Sequence, residues 1–104
     1  MTPTTAFEFA TDPDRLIHEP ARLKIMAVLS VAESADFTYL MGETGLTRGN
    51  LSVQLTRLKD AGYLDIKKEF VGRMPRTTAS LTPEGRRAFG AYRTYLGGFL
   101  DATA

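Results

Sequence analysis

Leucines recur at helical spacing in the middle of the chain and predict its strongest helix. Leu51, Leu55 and Leu58 follow the i, i+4, i+7 pattern that places side chains on one helix face. Thr47 is a good N-cap for this helix, and Gly62 supplies the left-handed residue that ends it. Because both ends carry a local signal, we expect one continuous helix between these two residues.

The helix face opposite to the leucines is small, polar and cationic. Its first carboxylate is that of Asp60, and most of its side chains are of types that hydrogen-bond base edges and phosphates. A solvated face more often mixes Glu with Lys, although a solvated face that lacks acids by chance is the alternative. The residues that point outward or flank this face are Arg48, Gly49, Asn50, Ser52, Val53, Thr56 and Arg57.

Two segments before this helix complete a helix-turn-helix pattern. Pro20 suits the first position of a helix over 21–32, which is apolar on nearly all sides. Such a helix is buried on two sides, either by its own chain or by a second copy. After a brief strand at 36–38, Thr38 can N-cap a short helix over 39–44. A short helix, a tight turn and a long capped helix then follow in order.

Beyond this unit the apolar period changes from 3.6 to 2, which predicts a β-hairpin. We expect its turn over residues 71–76, with Arg73 and Arg76 at or near the tip. Charged residues are common at a solvated hairpin tip, so these two arginines alone are weak evidence for a nucleic-acid contact. They are stronger evidence when they follow a helix-turn-helix. We expect one face of the hairpin to be buried and the other to be solvated. The face expected to be buried comprises Leu64, Ile66 and Phe70 in the first strand and Thr77, Ala79 and Leu81 in the second.

A start signal predicts a last helix over residues 82–100. Thr82 is its N-cap, Pro83 takes the first position, and Glu84 places an acid against the positive helix end. The apolar stripe of this helix is typical of core packing or of a dimer seam. It comprises Phe89, Tyr92, Leu96 and Phe99, with Tyr95 beside it.

Length and charge narrow the class of protein. The 104 residues suffice for one domain, and the absence of cysteine excludes disulfides and zinc–thiolate sites. Net charge is +1, but it is unevenly spread. Residues 1–46 carry a net charge of −4, whereas residues 47–87 carry +5. This asymmetry favours an anionic partner for one side of the fold.

The N-terminal region offers few signals. Residues 1–15 are expected to form an arm in which Phe7 and Phe9 anchor against a partner subunit, with a frayed terminus as the alternative. His18 is expected to be a solvent or capping residue rather than a metal ligand. The chain has no signal-peptide pattern and no apolar run near the ~20 residues of a membrane span. We therefore expect a cytoplasmic protein with no membrane partner.

Together these patterns resemble the winged helix-turn-helix domain of small prokaryotic transcriptional regulators, close to the MarR and ArsR groups. The segments that carry the resemblance are 22–26, 44–52, 58–64, 68–77 and 81–85, within a domain over 16–100. The fold class it implies is mainly α with a small β-hairpin, in the order α-β-α-α-β-β-α. The function it implies is sequence-specific binding of double-stranded DNA by a homodimeric regulator, expected to be a repressor.

The resemblance also implies residue roles. The helix over 47–61 would enter the major groove, and the wing over 71–77 would contact the backbone or the minor groove. The DNA-binding residues would be Thr47, Arg48, Asn50, Ser52, Val53, Gln54, Arg57, Arg73 and Arg76, of which Thr47 and Gln54 would contact phosphates. The helix over 82–100 would join the first helix and the arm in a dimer interface. The interface residues would be Phe7, Phe9, Ile25, Val28, Tyr92, Tyr95, Leu96 and Phe99.

Other functions find less support in the sequence. A winged-helix protein-interaction module without DNA binding needs an apolar patch on the third helix, where the sequence offers Val53 alone. An enzyme needs an acid–base pair, an activated nucleophile, a phosphate loop or a metal set, and none is evident. ArsR-type metal sensing lacks its cysteines and a His/Asp cluster. We therefore expect neither a cofactor nor a metal, and a small-molecule effector is left open.

Overall fold

The computed structural model describes residues 13–104, and within them four helices pack around a three-stranded antiparallel sheet. The elements are α1 (Pro20–Val31), β1 (Ala35–Asp36), α2 (Phe37–Thr44), α3 (Arg48–Asp60), β2 (Leu64–Val71), β3 (Met74–Leu81) and α4 (Pro83–Ala102). This order confirms the fold class expected from the sequence. Phe7 and Phe9 lie outside the described residues. Within the described part, no helix has the length and apolar character of a membrane span.

The predicted caps of α3 and α4 are found, whereas that of α2 is wrong. Thr47 and Thr82 accept hydrogen bonds from amides in the first turns of their helices. The N-cap of α2 is Asp36 rather than Thr38, and its Oδ1 accepts from the Tyr39 amide at 2.8 Å. The carboxylate places a charge at the positive end of the helix, which a hydroxyl does not. The strand therefore ends two residues earlier than expected.

The core forms around α1, which its own chain covers. Ile25, Met26 and Leu29 are fully buried, and α1 contacts α2, α3, β3 and α4. The expectation that Ile25 contributes to a dimer interface is therefore wrong, because this side chain has no exposed surface. Val28, also expected at the interface, is half-buried at the edge of the core. The apolar character of α1 could reflect burial by its own chain or by a second copy. Burial by its own chain accounts for the face that contains Ile25, Met26 and Leu29.

The hairpin is tighter and projects further than the sequence suggested. β2 and β3 pair from Leu64 opposite Leu81 to Val71 opposite Met74, which leaves a two-residue turn. Gly72 opens this turn at φ +64°, as a type II′ loop requires. The expected turn over 71–76 was too long, because strand pairing continues almost to the tip.

Burial along the hairpin also differs from expectation. The alternation of β2 predicted a half-buried Phe70, but this side chain is 73% exposed. Only the base of the hairpin, at Leu64, Ala79 and Leu81, is buried in the core. Period 2 identifies the face of a strand, but it does not tell how far the core extends beneath that face.

The first turn of α4 is seated against the turn that follows α3. The Thr82 hydroxyl donates to the Gly62 carbonyl at 2.6 Å, and the Thr82 amide donates to the Tyr63 carbonyl at 3.0 Å. A Cβ atom at Gly85 would lie 2.2 Å from the same Tyr63 oxygen. Only glycine permits this approach. It orients the start of α4, whose C-terminal end is exposed at Phe99 and Leu100.

Candidate nucleic-acid interface

The buried leucines of α3 determine which of its faces is exposed. Leu51, Leu55 and Leu58 are buried in the core, so the opposite side of the helix faces outward. All but one of the α3 residues expected to bind DNA are exposed, as is their N-cap. The exposed residues of this set are Thr47, Arg48, Asn50, Ser52, Val53 and Arg57.

Arg48 lies at the entrance of a cleft between α3 and the wing. Its guanidinium lies 5.4 Å from the centre of the Phe37 ring, a cation–π contact. The cleft, of about 450 Å³, is also lined by Ser52 and by Arg76 and Thr77 of β3. Two arginines and several hydroxyl groups line this cleft together with the carboxylate of Asp36, so that its arginines can contact a polyanion.

The two wing arginines occupy different places. Arg73 lies in the turn and is exposed, as the sequence suggested. Arg76 is near the tip rather than at it, because it lies inside β3 opposite Glu69. Its Nη2 lies 3.8 Å from Oδ2 of Asp36, and both side chains are partly exposed. This ion pair joins the wing to the start of α2 and partly compensates the charge of Arg76.

Sequence reasoning missed two lysines of this surface. Lys59 of α3 and Lys68 of β2 line a second cleft, which also includes Thr56. Lys68 pairs with Thr77 and falls on the same face of the hairpin as Ile66, the face towards α3. The period-2 pattern could have identified it. Lys67, on the opposite face, forms an ion pair with Glu69 at 3.5 Å.

A buried arginine beneath α3 was also missed. The Arg22 side chain donates from Nε to the Leu16 carbonyl at 2.6 Å and from Nη1 to Oε1 of Gln54 at 2.7 Å. Gln54 Nε2 in turn donates to Oδ1 of Asn50 at 2.9 Å. Gln54 was expected to contact phosphate, but its amide is half-buried and joins Arg22 to Asn50.

Glu19 completes the charge balance at Arg22. Its Oε2 lies 3.6 Å from Nη1 of Arg22. Burial acts to raise the pKa of Glu19, but amide hydrogen bonds from Arg22 and Ala21 and the charges of Arg22 and Arg57 hold it below its usual value. Glu19 therefore remains ionised at neutral pH and leaves the buried guanidinium paired.

The residues expected at a dimer interface fall into two groups along α4. Tyr92 is buried, and its hydroxyl lies 2.8 Å from Nδ1 of His18, an exposed residue. Tyr95 and Leu96 are half-buried, and Phe99 is 43% exposed. Leu100, which sequence reasoning did not include, is 63% exposed. Exposed apolar surface on α4 is therefore concentrated towards its C-terminal end.

A metal site has no support in the described part of the chain. Across residues 13–104, no group of three or more His, Asp or Glu side chains is placed to hold an ion. His18 has an aromatic environment instead. Its ring centre lies 5.8 Å from that of Tyr92 and 6.3 Å from that of Tyr95.

Comparison with known proteins supports the same interpretation of the fold. The sequence matches the winged helix DNA-binding domain family over residues 21–100. It is 33% identical over 78 residues to an uncharacterised protein of Methanocaldococcus jannaschii, an alignment that covers 75% of this chain and 85% of the relative.

Solved structures share the architecture. The transcriptional regulator homologue protein of Pyrococcus horikoshii superposes with a TM-score of 0.81 at 27% identity, over 86% of this chain and 89% of that one. A MarR-family transcriptional regulator of Enterococcus faecalis gives 0.70 at 22% identity, over 88% of each chain. A MarR-family regulator of Streptomyces coelicolor, solved in complex with DNA, gives 0.64 at 23% identity, over 86% of this chain and 58% of that one. The last two likenesses concern the fold alone.

Proposed function

Because the chain belongs to the winged helix DNA-binding domain family, we propose that it is a homodimeric repressor of transcription that binds double-stranded DNA at specific sequences. The observation that carries this proposal is the common surface of α3 and the wing. There Arg48, Arg57 and Arg73 are exposed, and none of them has a carboxylate within 4.0 Å among residues 13–104. Because the proposed partner is DNA, the protein would act in the cytoplasm of a prokaryotic cell.

In this proposal α3 enters the major groove. Its 13 residues give a rod of about 20 Å, and the groove of B-DNA admits one helix. Asn50, Ser52 and Arg57 then face base edges or the adjacent phosphates. Thr47, whose hydroxyl accepts from the Asn50 amide, lies where the backbone passes the start of α3. Release of counterions by the arginines supplies affinity that depends on salt.

The wing follows the same DNA outside the major groove. Arg73 at its tip reaches the backbone or the minor groove, and Arg76 and Lys68 line the clefts between the wing and α3. On this surface most of the large exposed apolar side chains belong to the wing, and α3 contributes one, that of Val53. Met74, for example, is 70% exposed, whereas Val53 is the large exposed apolar residue of α3. An interaction module that docks through α3 would have little apolar surface to bury.

The C-terminal half of α4 supplies the dimer contact. Phe99 and Leu100 are exposed there beside the half-buried Leu96, and an isologous pairing of two such helices covers these side chains. The half-buried Tyr95 adjoins that surface on α4, and Tyr92 is buried one turn earlier on the same helix. Val28 of α1 is retained as an expected contact. A symmetric dimer would contact two half-sites about one helical turn apart, ~34–36 Å.

Fluorescence anisotropy on random-sequence duplex DNA across a salt series tests the DNA-binding part. We expect steep loss of affinity with salt for the wild type. For Arg73→Ala, the slope of log K against log[salt] should become shallower by about 1, because one phosphate contact is lost. Arg93→Ala is the matched control, since Arg93 is an exposed arginine of α4 and should leave the slope unchanged. No binding at low salt would refute the proposal.

A further inference from the structure

The side chains of Arg22, Gln54 and Asn50 form a series of hydrogen bonds at α3. Arg22 fixes the direction of donation along this series. A guanidinium only donates hydrogen bonds, and this one is buried, with 8% of the residue exposed. Its Nη1 lies 2.7 Å from the Gln54 side chain. Gln54 must therefore present its oxygen to Arg22, because the opposite orientation would place two donors against each other.

The same constraint passes to Asn50. With Oε1 of Gln54 directed at Arg22, Nε2 of Gln54 is the group that faces the next turn of α3. It donates to Oδ1 of Asn50 at 2.9 Å, an i, i+4 pair. Asn50 in turn presents its oxygen to Gln54 and keeps its Nδ2 group free to point away from it. A buried donor thus sets the orientation of an exposed carboxamide two hydrogen bonds away.

This orientation changes what Asn50 can recognise. An asparagine that selects adenine does so with both carboxamide atoms, accepting from N6 and donating to N7. Here Oδ1 is turned towards Gln54, from which it accepts a hydrogen bond, so Nδ2 is the group turned away from Gln54. The two hydrogens of Nδ2 suit a base edge that offers acceptors. Guanine presents two acceptors in the major groove, O6 and N7. We propose that Arg22, acting through Gln54, makes Asn50 a donor-only recognition residue that favours guanine over adenine. This inference rests on the proposed function.

Selection of binding sites from a randomised duplex library, followed by sequencing, tests it. In the wild-type site we expect one position in each half-site to favour guanine over adenine roughly five-fold or more, a typical minimum for a good base contact. Asn50→Ala should abolish the preference at that position and leave the other positions unchanged.

Gln54→Glu provides the sharper test, because it reverses the polarity. The new carboxylate accepts from Arg22, as the amide oxygen does, but it has no hydrogen to donate to Asn50. It accepts from Nδ2 of Asn50 instead, which turns Oδ1 outward. The preference should then change from guanine to a base that offers a donor, cytosine or adenine. Thr56→Glu is the control, since it adds the same charge to α3 and should weaken binding to all sequences without changing the preferred base.

The outcomes separate this inference from the function on which it rests. Loss of an adenine preference in Asn50→Ala, or an unchanged base preference in both Asn50→Ala and Gln54→Glu, overturns the donor-only role while leaving specific DNA binding intact. Failure of the wild type to enrich any site overturns the proposed function itself. Circular dichroism of each variant at the selection temperature confirms that the protein tested is folded.

Discussion

Replacing Gly85 with alanine should destabilise the domain through one atom. The added Cβ would lie 2.2 Å from the Tyr63 carbonyl oxygen, well inside van der Waals contact, and the neighbouring atoms belong to the backbone. Either α4 or the turn after α3 must therefore move. Overpacking of this kind costs about 1–3 kcal/mol. Movement also disturbs the hydrogen bonds of Thr82 to Gly62 and Tyr63, each worth about 1 kcal/mol.

The better helix propensity of alanine partly offsets this loss of stability. The gain is less than ~1 kcal/mol, because Gly85 lies in the first turn of the helix. The net loss is about 2 kcal/mol, which for a domain near 100 residues lowers Tm by roughly 8–16 °C. Thermal unfolding followed by circular dichroism at a fixed protein concentration measures it.

Gly90→Ala is the matched substitution on the same helix. Gly90 is exposed, and a Cβ there meets no atom within 4 Å. Alanine should therefore raise stability by about 0.5–1 kcal/mol through helix propensity alone. If Gly85→Ala were as stable as Gly90→Ala, the seating of α4 on the Tyr63 carbonyl would be refuted.

Three further predictions concern pH, assembly and DNA. Burial and a hydrogen bond to Asp14 raise the pKa of Tyr63 to about 12 from an ordinary 10. The stabilisation from Tyr63 should therefore be complete below pH 10 and lost as pH rises towards 12. In Tyr63→Phe, the plot of the urea unfolding midpoint against pH should be flatter over this range. Phe99→Asp should shift sedimentation at micromolar concentration from dimer to monomer. The Tm of this variant, compared with that of Gly90→Ala, reports whether it is folded. An unchanged dimer would exclude the end of α4 as the contact. Arg48→Ala should weaken binding to a selected DNA site more than binding to random DNA, and equal loss on both would contradict a base-reading role.

Local signals account for the parts of the fold that were predicted correctly. The bounds of α3 follow from the Thr47 cap and the leucine spacing, and the start of α4 follows from Thr82 and Pro83. Each of these signals acts over a few residues, so that the sequence alone specifies them. The α2 cap was misplaced because Asp36 and Thr38 are both good caps and lie two residues apart. Propensity alone does not rank the charge of one against the hydroxyl of the other.

Features that depend on distant parts of the chain were not predictable in this way. The exposure of Phe70 depends on where the core ends beneath the hairpin, and the burial of Ile25 depends on how completely α2, α3 and α4 cover α1. Period and propensity give the face of an element but not the partner that covers it. The expected dimer role of Ile25 failed for this reason, whereas the exposed face of α3 followed directly from its leucine side.

Arg22 shows how such a distant contact bears on specificity. In the sequence it is one of the few polar residues of a largely apolar helix, and a solvent-exposed position is the ordinary interpretation of that pattern. In the structure it lies beneath α3, where a side chain 32 positions further along accepts its hydrogen bond. The residue types facing outward from α3 predict that it can contact DNA. Which hydrogen-bonding group Asn50 presents is set from below, by a buried side chain that does not itself reach the surface. A recognition pattern derived from the exposed residues alone would therefore assign Asn50 to adenine, whereas the buried guanidinium assigns it to guanine.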